Sequence, residues 1–172
     1  MTVHTSDLDG IPRRRGMRPR TSREIPHCQT DQLVGDATRR HLSLLLIKRM
    51  LTFPHLLIGD SRRAPPGSIG LFLKPDLCSA AEDAFLLGNE IAHVHAEDDG
   101  SLHAVLPEGI CDLAVERGWA EPHPLAGMPT VSPRTVLIYA PRDEGEVDTI
   151  IGLLEHGYAA ARGLNAMGEA AS

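Results

Sequence analysis

The sequence predicts an α+β fold. A mainly antiparallel sheet of five to six strands carries packed helices, in the order α-β-β-β-β-β-α-β-α. Three observations lead there. Short apolar runs bounded by Gly, Pro and Asp recur from residue 55 onward. Two alternating runs flank Glu97-Asp98-Asp99-Gly100, a hairpin signal. Helical spacing of apolar residues is confined to the two ends and to one segment after Pro107. The 172 residues are 42% hydrophobic and 23% charged, enough for the core of one domain. Only 3% are aromatic, so that core is aliphatic, and base stacking on single-stranded nucleic acid is excluded as a main activity.

The elements follow in chain order. From Asp31 towards Phe53, Leu33, Ala37, His41, Leu44, Leu45 and Ile47 fall near helical spacing, and Pro54 stops the helix. Residues 55–60 (HLLIGD) and 68–74 (SIGLFLK) read as strands around the loop SRRAPPG. Residues 75–83 form a polar connection, and 84–87 read as another short strand. Pro107 opens a helix with Glu108 and Asp112 near its positive end, and Gly118 closes it. Residues 119–134 read as a long loop rich in Pro and Gly. Thr135–Ala140 (TVLIYA) is a strand broken by Pro141. Asp143 is placed to cap a last helix carrying Val147, Ile150, Ile151, Leu154 and Tyr158.

Charge divides the chain. Residues 1–30 hold six Arg against Asp7, Asp9 and Glu24, a net +3; the remainder holds 11 basic and 20 acidic residues, a net −9. An acidic body argues against nucleic-acid binding. The expected organisation is a basic disordered tail (1–30), a single α+β domain (31–163) and a frayed C-terminus (164–172). Cys28, Cys78 and Cys111 are widely spaced, with no CxxC, so neither a disulfide framework nor a cysteine zinc site is expected. No signal peptide is read, and no apolar run is long enough to span a bilayer. A soluble cytoplasmic protein is expected, with no nucleic-acid or membrane partner. The apolar helix at 42–51 is a candidate homodimer contact.

Nine histidines are many for this length, and His93, His95, His103 and His123 lie close in sequence. Alternation puts His93, His95 and Glu97 on one strand face and Val94 and Ala96 on the other. A two-residue turn at Asp99-Gly100 would put His103 on the Val94 face. A three-residue turn, Asp98-Asp99-Gly100, pairs His95 with His103 and leaves a clean apolar face opposite. The hydrophobic pattern selects this second register. Three imidazoles on one face suit general acid–base chemistry or metal binding by His93, His95 and His103; a solvated polar face is the remaining alternative. In Trp119-Ala120-Glu121-Pro122-His123-Pro124 the flanking prolines stiffen the loop around His123, and Glu121 and His123 project together. Arg142 is placed to hold an anionic substrate group.

The stretches GNEIAHVHAEDDGSLHAVLP, RGWAEPHPL and EVDTIIGLLEHGYAAA resemble a bacterial and fungal family of luciferase-domain proteins, from Phe53 to Tyr158. The H-V-H and E-P-H elements are the most specific. The resemblance implies a small α+β domain with a histidine-bearing sheet, and not the far larger flavin-dependent luciferase barrel. His93, His95 and His123 match its pattern.

There is no GxGxxG after a strand, no GxxxxGK[ST] and no GxSxG. The expected function is a cofactor-independent enzyme acting on a small molecule. It would catalyse cyclisation, isomerisation or dehydration of an unstable aromatic or polyketide-like intermediate in secondary metabolism. His93 and His95 serve as acid and base, with Glu121 and His123 beside them as catalytic groups. His103, Trp119, Tyr139 and Arg142 are expected to contact substrate. No cofactor or metal is expected. A His-ligated metal enzyme and a non-catalytic ligand-binding module are the alternatives.

Overall fold

The computed structural model describes residues 10–79 and 81–164. The fold is α+β. Six strands form one antiparallel sheet: β1 (Leu56–Asp60), β2 (Ile69–Leu73), β3 (Glu90–Val94), β4 (Leu102–Val105), β5 (Ala120–Pro122) and β6 (Thr135–Ile138), in spatial order β1-β2-β3-β4-β6-β5. Among the described residues there are three α-helices: α1 (Asp36–Met50), α2 (Glu108–Glu116) and α3 (Glu144–Arg162). None of them is long and apolar enough to cross a membrane.

Alternation sorts the sheet into two faces. Leu71, Leu73, Ala92, Val94, Leu102, Ala104, Val136 and Ile138 are buried on the face that α3 crosses at β3 and β4. They meet Leu46 and Met50 of α1, Ile110 of α2 and Ile150 and Leu153 of α3 in one aliphatic cluster. Each such side chain contributes roughly 1.5–3 kcal/mol when fully buried. The helix α3 comes so close that a Cβ on Gly157 would lie 2.7 Å from the Val105 carbonyl oxygen. Asp143 caps α3, its side chain accepting from Glu146 N at 2.9 Å, and Gly163 ends it with φ 65°.

Two elements differ from expectation. Residues 84–87 are not a strand: Glu82–Ala84 is a short 3-10 turn, and only Leu87 bridges to Glu90. The sixth strand lies instead at Ala120–Pro122, where a Pro-rich loop was expected. Pro122 is tolerated because β5 is the sheet edge and needs no second partner.

The basic N-terminal segment is also corrected. Residues 10–30 are packed on the body rather than hanging free. Ile11 is buried, the Trp119 indole donates to Pro12 O at 2.6 Å, and Arg14 N donates to Arg117 O at 2.9 Å. The Arg14 guanidinium, 3% exposed, donates to Ala140 O and to Glu146 Oε2 at 2.9 and 3.0 Å. It lies 5.8 and 5.5 Å from the ring centroids of Trp119 and Tyr139. Composition missed this because it counted arginines as solvated charge, whereas the acidic body supplies their partners. Expectations for residues 1–9 and 165–172 lie outside the described residues.

Candidate functional site

The second sheet face carries the polar residues. One row of cross-strand partners runs Gly59, Gly70, His93, His103, Leu137, Glu121 across all six strands. His93, His95 and His103 share this face, opposite Val94 and Leu102, as the pattern predicts. The pairing itself differs by two residues: His93, not His95, faces His103, and His95 faces Ser101. A shift of two preserves the faces. Its cause is Asp99, which folds under the hairpin and accepts from Ser101 N and Oγ at 2.8 Å. Asp98 N and Gly100 N, with Gly100 at φ 79°, both donate to His95 O. The loop is therefore Ala96–Gly100 rather than three residues.

A bulge supplies another carboxylate. Strict alternation would point Glu90 into the apolar layer with Ala92 and Val94. The register shifts between Leu71 and Phe72, so that Phe72 pairs with Glu90 and the side chain turns to the histidine face. There Glu90 Oε1 accepts from His93 Nδ1 at 2.9 Å and from Ser61 Oγ at 2.7 Å.

From the N-terminal segment His27 completes the group. His93 Nε2 lies 2.9 Å from His103 Nδ1, and His103 Nε2 lies 3.4 Å from His27 Nδ1. His27 Nε2 donates to Glu121 Oε1 at 2.8 Å, and the Tyr139 hydroxyl donates to Glu121 Oε2 at 3.0 Å. His95 Nδ1 points to the Asp99 carboxylate at 3.3 Å, while His95 Nε2 is buried without a partner. His123, just past β5, accepts the Leu125 N–H at Nδ1, at 3.1 Å. Its ring is 5.3 Å from that of His27 and 4.9 Å from that of His103, centroid to centroid.

The five imidazoles line one wall of a cavity of about 460 Å³. Ile25, Pro26, Pro65, Pro66, Leu86 and Val131 supply apolar walls from four separate segments. Its size and lining suit a small organic ligand.

Burial sets the charge state. It pushes His103 well below its ordinary value, and the neighbouring imidazoles add to the effect. His93 is lowered by burial, partly offset by its bond to Glu90. His123 is pushed down to about 4 by burial and by His27 and His93. Burial raises Glu121, but the bonds from Thr21, His27 and Tyr139 outweigh it and leave the carboxyl lowered. Asp99 is likewise lowered: its bonds from His95 and Ser101 outweigh burial. Burial and Glu121 raise Tyr139 to about 12. At neutral pH His93, His103 and His123 are thus neutral, and Glu121 and Asp99 are carboxylates. One ring nitrogen each of His93, His95 and His103 lies within 4.8 Å of the others, and the same holds for His27, His103 and His123.

The structure brings His93, His95, His103 and His123 to one cavity wall, with Glu121 behind His27. Trp119, Tyr139 and Arg142, expected to contact substrate, are not among the cavity walls. The Trp119 indole and the Arg142 guanidinium hold the N-terminal segment, Arg142 through Arg15 O and Glu146. Tyr139 is spent on Glu121. His27, Glu90 and Asp99 were missed. Glu90 and Asp99 lie three and four residues from a histidine, a spacing that strand alternation hides; His27 had no signal of its own.

An antiparallel sheet and the segments beside it bring five imidazoles to one apolar cavity, which defines a small, enzyme-like domain. Residues 88–157 match the family model described as Luciferase domain. The chain is 26% identical over 159 residues to a luciferase of Neonothopanus nambi, across 86% of the chain and 60% of that protein. It is 40% identical over 68 residues to luciferases of Armillaria gallica and Armillaria mellea, across 38% of the chain and 26% of each. The chain therefore spans less than two thirds of the length of these relatives. No solved structure matches it.

Proposed function

We propose that this chain is an enzyme that moves protons on a small, mostly apolar organic molecule held in the histidine-lined cavity. One observation carries the reading: His27, backed by the Glu121 carboxylate at 2.8 Å, and His123 meet at the cavity wall with ring centroids 5.3 Å apart. His27 donates from Nε2 to Glu121, so its Nδ1 carries a lone pair, engaged only by a long 3.4 Å contact with His103 Nε2, as a general base requires. His123 accepts at Nδ1, so its proton sits on Nε2, ready to bond an oxygen that gains charge. Together they support enolisation. A C–H proton next to a carbonyl passes to His27 Nδ1, the electron pair moves to the carbonyl oxygen, and His123 Nε2–H holds that oxygen. Return of the proton at another atom gives an isomer; attack by the enolate carbon on a second carbonyl of the same molecule opens that C=O bond, its oxygen takes the proton from His27, and a ring forms.

The substrate class is an unstable aromatic or polyketide-like intermediate, which presents such C–H acids and fits apolar walls. Solvent deuterium incorporation into aryl ketones and β-diketones tests the chemistry. The intact chain should accelerate exchange, and His27→Ala or His123→Ala should each reduce the acceleration by roughly 10²–10⁴-fold. Undiminished exchange in both folded variants would refute the assignment. The name of the matched relatives adds a readout: photon counting in the same reactions.

A further inference from the structure

The strongest unexplained feature is a shortage of protons among the buried histidines. Glu90, His93, His103, His27 and Glu121 stand in file, with contacts of 2.9, 2.9, 3.4 and 2.8 Å. Each contact needs one N–H to be a hydrogen bond. Four contacts need four, and three neutral imidazoles carry three. The carboxylates at the two ends take Nδ1–H of His93 and Nε2–H of His27. His103 then has one proton for two neighbours. If it gives that proton from Nε2 towards His27 Nδ1, its Nδ1 lone pair faces the His93 Nε2 lone pair at 2.9 Å. His95 adds a third lone pair: Asp99 takes its Nδ1–H, and Nε2 is left buried and unpartnered, on a side chain that is fully buried.

Three lone pairs converging in a buried space call for a cation. An extra proton on His27, beside Glu121, would complete the file but leave His95 Nε2 bare. A metal ion engages all three nitrogens at once and leaves every imidazole neutral. Metal–nitrogen bonds of about 2.0–2.1 Å separate neighbouring ligand nitrogens by about 2.9–3.4 Å, and the observed 2.9 Å fits. Each ligand is also held from behind as metal-binding histidines are: His93 by Glu90, His95 by Asp99, His103 by His27 and through it Glu121. The second trio fails this test, because His123 Nδ1 is occupied by the Leu125 N–H and its Nε2 bears the proton.

We propose that His93, His95 and His103 bind one divalent first-row transition-metal ion whose open positions face the cavity. All-imidazole ligation favours such metals over magnesium or calcium. This deepens the proton-transfer reading, on which it rests for its role: the ion would supply a Lewis acid for the carbonyl or enolate oxygen.

The test uses the full chain, stripped with a chelator and titrated with Co²⁺ alone. Visible d–d absorption should saturate at one equivalent per chain, and Zn²⁺ should displace it. Asp99→Asn, which keeps the ring in place, should weaken Co²⁺ binding by about 10–100-fold. His95→Ala should abolish the signal, and His41→Ala, an exposed histidine, should leave it unchanged. No saturable absorption, or binding that survives His95→Ala, would overturn the proposal. Deuterium exchange by the stripped chain separates the two readings. Exchange without Co²⁺ binding keeps the His27–His123 assignment and removes the metal. Co²⁺ binding with no exchange on any ketone, metal present or absent, keeps the metal and removes the assignment.

Discussion

His27 and Glu121 stand 94 positions apart in the chain and 2.8 Å apart in space. The contact joins a segment that precedes every helix and strand described here to the edge strand of the sheet. It makes the N-terminal segment part of the cavity wall, and it decides what truncation should do.

Deleting residues 1–28 should destabilise the domain. The deletion removes Arg14 and leaves Glu146 with one partner fewer. Breaking a buried ion pair costs about 3–5 kcal/mol, which at this size corresponds to a fall in Tm of roughly 6–20 °C. A circular-dichroism melt of the truncated chain reads this directly, and an unchanged Tm would show that the segment adds nothing to stability.

Acid should loosen the same contact. Burial raises the Glu146 carboxyl, but its bonds to Arg142 and Arg14 outweigh it and hold the group below its ordinary 4.5. A carboxyl lowered by folding adds stability that is fully present above the unfolded value and is lost as pH falls through the folded one. Stability measured by urea titration should therefore decline as pH drops below about 4.5, and Glu146→Gln should flatten that decline. Parallel pH profiles for the two proteins would rule out this source.

Glu121→Gln should separate geometry from charge. The amide still reaches His27 and Tyr139, yet it no longer fixes the His27 proton on Nε2. Turnover should fall by about 10²-fold or more while the far-ultraviolet spectrum stays native. Equal kcat in the variant would mean that Glu121 only braces the segment.

Gly157→Ala should cost about 1–3 kcal/mol, because the new methyl would press on the rigid carbonyl of Val105. The position is helical and far from the histidines in function, so Tm should fall without loss of cobalt binding. A Tm at or above wild type would show that α3 can shift away from β4.

Periodicity made most of the fold legible. The histidine and valine faces of β3 follow from alternation, and Asp143 and Gly163 mark the ends of α3 by their side-chain and backbone chemistry. The three failures share a cause. The bulge that turns Glu90 over, the Asp99 fold that lengthens the hairpin loop and the Pro122 edge strand each depend on a partner distant in sequence or on a local break in period. Nor could His27 be found: an isolated histidine among arginines carries no pattern until Glu121 is known to lie beside it.

The contact between His27 and Glu121 also has a consequence in time. During synthesis at about 5–20 residues per second, His27 leaves the ribosome about 5–20 s before Glu121 exists. For that interval the basic segment has neither its carboxylate nor the Trp119 and Glu146 partners that hold it. His27 can therefore be seated only once Glu121 has been made, so this wall of the cavity closes long after its first residue has been synthesised.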